Sequence, residues 1–195
     1  MVKASSKNHK TMERKRCKWV NLDNPLYVEY HDKEWGRPLH DDQRLFELLI
    51  LEGFQAGLSW ETILNKRENF RRAFRGFDPK VMAEFGPDDV ERLMADRGIV
   101  RNRLKIVDSI VNAKAFLKLQ REEGSFDRYI WSFTDGKSLR EPYALRTTSE
   151  LSDRVSKDLK RRGFKFVGST IIYSYLQAIG IINAHGEECD DYNEL

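Results

Sequence analysis

No apolar run in the 195-residue chain approaches the roughly 20 residues that a membrane-crossing helix needs. Residues 1–16 are too polar to hold the apolar segment of a secretory signal. The expectation is a cytoplasmic protein with no membrane partner. Cysteine is nearly absent: Cys17 and Cys189 stand near opposite ends of the sequence, and in a reducing compartment such a pair points to a metal site or to inert thiols before a disulfide. Neither sign of charge dominates, since 34 Lys and Arg against 31 Asp and Glu leave a net charge of +3. That balance permits a polyanionic partner without indicating one. Strand-like alternation, internal repeats and low-complexity linkers are missing too, which leaves helices as the material of the fold.

What is present suffices for one buried core and little more, with 40% hydrophobic and 33% charged residues. Residues 1–15 read as a flexible basic tail, because the stretch through Arg16 carries Lys3, Lys7, Lys10, Arg14, Lys15 and Arg16 with almost nothing to bury. Residues 16–195 then form a single helical domain. Leu45, Leu48 and Leu49 make one apolar stripe, and Ile106, Ile110, Ala113 and Leu117 make another. Asp78-Pro79 and Gly86-Pro87-Asp88-Asp89 place proline in a first helical turn, while Gly98, Gly124 and Gly163 sit where helices can stop. Residues 125–142 are the least readable.

Chemistry concentrates early. Trp19, Tyr27, Tyr30 and Trp35 crowd a stretch too irregular for one amphipathic helix, and such density forms either a pocket wall or a cap on the core. Glu52 follows Leu48 and Leu49 on an inward stripe. A carboxylate there either caps the backbone of a neighbouring helix or accepts hydrogen bonds from a ligand. Gly53 and Gly57 interrupt the pattern beside it and ahead of Trp60, opening room for a flat ligand stacked on an indole. Cys17, His31, His185 and Cys189 compose a Cys₂His₂ set, which tetrahedral zinc accepts although the spacing is that of no ordinary zinc finger; unpaired surface residues are the alternative.

Residues 87–93, a turn holding Gly98, and the helix from about Arg103 read as helix, hairpin, helix. Free amides and the positive end of a helix dipole make a phosphate site there, with Arg97, Arg101, Arg103 and Lys105 adding charge. An ordinary turn among solvated charges is the competing reading. Lys157, Lys160, Arg161, Arg162 and Lys165 form a second basic cluster, before a mostly apolar helix ending at Gly180 that reads as core.

Taken in order, the segments Cys17-x-Trp19, Leu26-Tyr27-x-x-Tyr30-His31-Asp32-x-Glu34-Trp35-Gly36, Leu51-Glu52-Gly53-x-Gln55-Ala56-Gly57-Leu58-Ser59-Trp60, Arg67-Glu68-Asn69-Phe70, Gly98-Ile99-Val100-Arg101, Trp131-Ser132-Phe133 and residues 161–168 closely resemble the 3-methyladenine DNA glycosylase I family. The resemblance spans roughly Arg16 to Cys189. It implies an all-α, helix-hairpin-helix DNA glycosylase fold. It also implies one structural Zn²⁺ held by Cys17, His31, His185 and Cys189, joining the two chain ends with no open position for activating water. The family's base pocket falls on Trp19, Tyr27, Tyr30, Glu52 and Trp60, with Glu52 reading the flipped base and Gln55 as an auxiliary contact. DNA contacts fall on Gly98, Val100, Arg101 and Arg103.

The implied activity is monofunctional: hydrolysis of the bond between 3-methyladenine and deoxyribose in alkylated double-stranded DNA, by a monomer associated with the nucleoid. Most helix-hairpin-helix glycosylases place an aspartate after the hairpin; this family generally lacks it, and none is evident here, nor a lysine placed to form a Schiff base. The chain departs from the bacterial pattern in its longer basic start and in Phe54, where some relatives are polar. Two other functions compete: a noncatalytic DNA sensor, and a zinc hydrolase of another class, the latter disfavoured by a closed ligand set.

Overall fold

In a computed structural model, residues 14–141 and 146–192 are described. The chain runs through α1 (Pro25–Lys33), α2 (Asp42–Gln55), α3 (Trp60–Ala73), a 3₁₀ turn at Arg75–Phe77, α4 (Pro79–Ala83), α5 (Pro87–Ala95), α6 (Arg103–Glu123), α7 (Phe126–Ser132), α8 (Glu150–Arg161) and α9 (Ser169–Ala178), with a second 3₁₀ turn at Asp190–Tyr192. The fold is all-α and helix-hairpin-helix, α5 and α6 flanking the hairpin. Two residues of strand each at β1 (Leu139–Arg140) and β2 (Ile182–Asn183) pair in parallel; runs so short leave no alternation in the sequence to find.

Local chemistry sets the helix starts. Asp41 accepts from the amide of Arg44 at 2.8 Å, Ser59 from Thr62 at 3.2 Å, Asn102 from Lys105 at 3.1 Å and Ser125 from Arg128 at 2.9 Å. Each such cap contributes about 1 kcal/mol. Pro25, Pro79 and Pro87 open α1, α4 and α5, where a missing amide proton costs nothing. Gly124 and Gly163, at φ +90° and +96°, end α6 and α8.

α2 is the central helix, packed against α3, α6, α7 and α9. Leu45, Phe46, Leu48, Leu49 and Leu51 are fully buried on it. Phe46 packs tilted against Phe116 at 4.8 Å and Phe116 stacks on Phe126 at 4.6 Å, and Phe54, Phe70 and Phe74 form a second aromatic knot at 4.9 to 6.0 Å. Such pairs add about 0.5–1.5 kcal/mol each beyond area burial. Gly53 does not interrupt α2 as its sequence position suggested. The helix runs on to Gln55, and the missing side chain instead admits Phe166, whose Cβ would lie 3.4 Å from a Cβ at Gly53. Gly57, at φ +84°, is the residue that turns the chain.

The two ends of the chain meet. The amides of Gly36 and Leu39 donate to the carbonyls of Gln177 and Ile179 at 3.0 and 3.1 Å, satisfying acceptors that the end of α9 leaves open. Gly180 lies so close that an added Cβ would come within 2.3 Å of the Arg37 carbonyl carbon. Residues 1–13, which hold most of the expected tail, lie outside the described residues. Arg14 and Lys15, assigned to that tail by composition, are docked together with Arg16: Arg14 pairs with Asp191 at 2.5 Å, the Lys15 amide donates to Asp190 at 3.0 Å, and Arg16 grips Asp32 at 2.7 and 2.8 Å. Their carboxylate partners lie over a hundred residues away or on a neighbouring helix, so no local pattern announces them. Among the described residues no helix is long and apolar enough to cross a membrane.

Candidate active site

α1, α2 and α3 converge with α9 around a cleft of about 200 Å³ lined by Trp19, Tyr27, Tyr30, Trp35, Glu52, Gln55, Trp60, Ser174 and Gln177. A closed space of about 150 Å³ takes a benzene ring, so this volume suits one flat base. The five residues assigned to the pocket from sequence, and Gln55, all line it. Trp35, Ser174 and Gln177 are additional. Trp35 belongs to the same aromatic cluster, and the other two carry a weak signal: Ser174 and Gln177 are polar residues three apart on a mostly apolar helix.

The walls are aromatic. Tyr30 and Trp60 lie 5.3 Å apart between ring centroids with planes tilted by 47°, and Trp19 contacts Tyr27 at 5.3 Å and Trp35 at 4.8 Å. Glu52 sits at the inner end, 4% exposed. No hydrogen bond or ion pair reaches its carboxyl among the described residues, so it does not cap a neighbouring helix. Burial alone pushes its pKa up from 4.5 to about 8. The buried Trp60 Nε1 likewise lacks a partner. One acceptor and one donor therefore face the cleft unused, a cost a fold bears where a ligand supplies the partners. Burial, then the charge of Glu52, hold the Tyr30 hydroxyl well above its usual value, so it stays protonated and can donate. Among the described residues no lysine, and no acid besides Glu52, lines the cleft.

Behind the cleft, Cys17, His31, His185 and Cys189 are buried together, their ligand atoms all within 4.8 Å of one another. The two cysteines are unbonded to each other. His31 Nδ1 contacts Asp32 at 2.9 Å and His185 Nδ1 contacts Asn183 at 2.8 Å, which turns both Nε2 atoms inward, as metal-ligating imidazoles are held. His185 Nε2 is buried without a hydrogen-bond partner among the described residues. Burial pushes the Cys17 thiol up to about 12 and, with His31 beside it, His185 down to about 4. A neutral imidazole is a ready ligand, and a thiolate in this place calls for a cation. The set fits a four-coordinate metal. Trp19 and Trp35 pack against His31 and His185 at 5.4 and 4.6 Å, so the metal-ligand cluster and the pocket wall share side chains.

The hairpin of residues 96–102 lies between α5 and α6. Arg101 and Arg103 are exposed, while Val100 is half-buried against the core. The Gly98 amide is taken by Asp96 Oδ1 at 2.7 Å, and Arg103 forms a two-pronged pair with Glu91 at 2.7 and 2.9 Å. Lys105 does not join this charged face. It is 9% exposed, and its Nζ donates to the carbonyls of Phe54 and Ala56 at 2.9 and 2.6 Å. It thus satisfies the open end of α2, where a cation also meets the negative pole of the helix dipole. In the second basic cluster, Arg162 is tied to Asp158 and Glu123 at 2.7 and 2.6 Å, whereas Lys157, Lys160 and Lys165 are exposed.

Comparisons with known proteins agree with this geometry. The family model described as methyladenine glycosylase matches residues 19–192. A curated DNA-3-methyladenine glycosylase 1 from Escherichia coli (strain K12) is 48% identical over 184 residues, covering 91% of this chain and 96% of that protein. One from Haemophilus influenzae is 42% identical, covering 89% and 96%. A crystal structure of 3-methyladenine DNA glycosylase I superimposes with a TM-score of 0.86 at 48% identity, over 90% of this chain and 98% of that one. A Staphylococcus aureus structure described as showing the basis of 3-methyladenine recognition gives 0.84 at 39%, over 87% and 92%.

Proposed function

Because the chain belongs to the methyladenine glycosylase family, we infer that it removes 3-methyladenine from alkylated DNA by hydrolysing the N-glycosyl bond. The observation that carries this reading is Glu52, a buried carboxyl with no protein partner at the inner end of an aromatic cleft. Methylation at N3 makes the purine a cation while it is still bonded to deoxyribose. Burial holds the unpaired carboxyl protonated in the empty cleft, and a cationic base beside it favours the carboxylate, so the proton leaves on binding and the counter-charge forms for the methylated purine, an advantage that neutral adenine does not share. Trp60 and Tyr30 stack on the ring, worth about 1–3 kcal/mol per base, and Trp19 and Tyr27 close the wall.

The positive base leaves with the electrons of the breaking bond and departs neutral, so no general acid is required. Water then takes the C1′ position, and its proton passes to solvent. Glu52 binds and polarises the base. A pocket lined by no lysine among the described residues fits base release without strand cleavage. The nucleotide reaches the pocket by leaving the duplex stack, while the hairpin at Gly98, Val100, Arg101 and Arg103 grips the DNA backbone through amides and cations. To take part, Arg103 must exchange Glu91 for a phosphate, and the Gly98 amide must exchange Asp96. We assign Zn²⁺ to Cys17, His31, His185 and Cys189 in a purely structural role. The acting unit is residues 16–195 as a monomer on double-stranded DNA in the cytoplasm, and Lys3, Lys7 and Lys10 of the basic start add nonspecific attraction to phosphate.

The test is release of free base from methylated duplex, comparing the wild type with Glu52→Gln, both folded and equally metal-loaded. Release of 3-methyladenine by the wild type and a fall of about a hundredfold or more in the variant support the assignment. A folded wild type that binds DNA and releases nothing would establish the sensor reading instead.

A further inference from the structure

Trp60 opens α3, and the rest of that helix carries side chains the base cleft does not use. Arg67, buried, donates through Nη1 to both carboxylate oxygens of Glu34 at 2.9 Å and through Nε to Glu47 at 2.6 Å. Glu34 closes α1 four residues after Tyr30, and Glu47 lies on α2 five residues before Glu52. Arg67 therefore fastens both neighbouring pocket helices to the helix that bears Trp60. Two residues further on, the attachments point elsewhere. Asn69 Nδ2 donates to the Gly98 carbonyl at 3.2 Å, and Lys66 Nζ reaches the same oxygen at 3.4 Å. The hairpin backbone is pressed onto this residue: a Cβ at Gly98 would come within 3.1 Å of Asn69 Cβ and Cγ.

We propose that Asn69 is a positioning residue, which sets where the hairpin holds the DNA backbone relative to the base cleft. An α-helix is a stiff rod rising 1.5 Å per residue, so Trp60 and Asn69 are separated by a fixed ~13 Å along α3. The damaged base enters the cleft beside Trp60 only when the backbone is gripped at the matching offset. Misplacement by about 1 Å at such a distance costs up to a hundredfold in rate. This rests on the reading of the hairpin as the DNA contact.

The experiment compares wild type and Asn69→Ala in two assays: binding of free 3-methyladenine, and steady-state release from methylated duplex. The Cβ packed against Gly98 remains in this variant and only the amide is lost. The expected result is base affinity within about twofold of wild type and a turnover from duplex lowered about tenfold. Unchanged turnover and KM would overturn the inference, as would parallel losses in both assays, which report a disturbed fold. Asn69→Asp preserves the shape and the contact with Arg72 but cannot donate to the Gly98 carbonyl. It should be at least as impaired as Asn69→Ala on duplex, and wild-type turnover in Asn69→Asp counts against the proposal. Arg101→Ala separates the two claims: if it leaves duplex affinity and its salt dependence untouched, the hairpin reading itself falls, whereas a weakened Arg101→Ala beside a normal Asn69→Ala removes only the positioning role.

Discussion

Glu52 holds a proton in the folded protein over a pH range in which the unfolded chain has already released it. Its pKa stands at about 8 against an ordinary 4.5, so folding stability falls as pH rises through that window and levels off above it. The full difference is on the order of 5 kcal/mol. Glu52→Gln replaces the charge by an amide that is also unpaired, and we expect a net gain of about 1–2 kcal/mol near pH 8 that vanishes by about pH 4; thermal melting across that range checks it. Stability and activity should thus move in opposite directions in one variant. Trp60→Ala should weaken binding of free 3-methyladenine about tenfold or more, the loss of a stacking surface worth about 1–3 kcal/mol, measurable by titration. The sequence made these residues legible because they break local rules: a carboxylate on an apolar stripe, and a crowd of aromatics without helical periodicity, although Tyr27 and Tyr30 in fact lie on α1 and Trp60 opens α3. Ser174 and Gln177 carry a weaker signal, two polar residues three apart on a helix that otherwise packs mostly as core.

Helix starts were readable at Pro79, at Pro87 and near Arg103, whereas α1, opened by Asn24 and Pro25, lies in a stretch whose crowded aromatics hid its helical period. Side-chain direction was less so. Lys105 lies among arginines that face solvent, yet it turns inward, because the end of α2 presents open carbonyls that only tertiary packing brings near. This separates two cations that look alike in sequence. Arg101→Ala should lower the slope of log affinity against log salt by about 1 on duplex DNA. Lys105→Met should leave that slope unchanged while destabilising the fold by about 1–3 kcal/mol, through the carbonyls it abandons. Equal slopes for the two variants would mean that Lys105 touches phosphate after all. The 163–168 loop shows the same limit. Phe166 adopts φ +51°, a strained choice for an aromatic residue, and it is held there by Gly53 and by paired bonds between Asn112 and the backbone of Lys165 at 2.7 and 3.0 Å.

At the scale of the whole molecule, the Cys17, His31, His185 and Cys189 cluster joins segments more than 150 residues apart, and no local pattern could reveal that they meet. Chelation of the assigned zinc should lower the melting temperature and quench base binding together, because Trp19 and Trp35 lean on the two histidines; loss of turnover with melting unchanged would instead indicate a catalytic metal. Gly36→Ala offers a route to the same result without chelator. Its Cβ would fall 2.6 Å from His185 Cε1 at a backbone φ of +74°, so the variant should bind less than one metal per chain by elemental analysis. The same closure has a consequence for synthesis. A ribosome delivers Cys17 and His31 first and His185 and Cys189 last, so the nascent chain carries an open half-site, and a pocket wall without its backing, through almost the whole of translation. Base binding therefore waits on residues 185–189, and a product that stops before His185 should lack both the closed ligand set and the backing of the pocket wall.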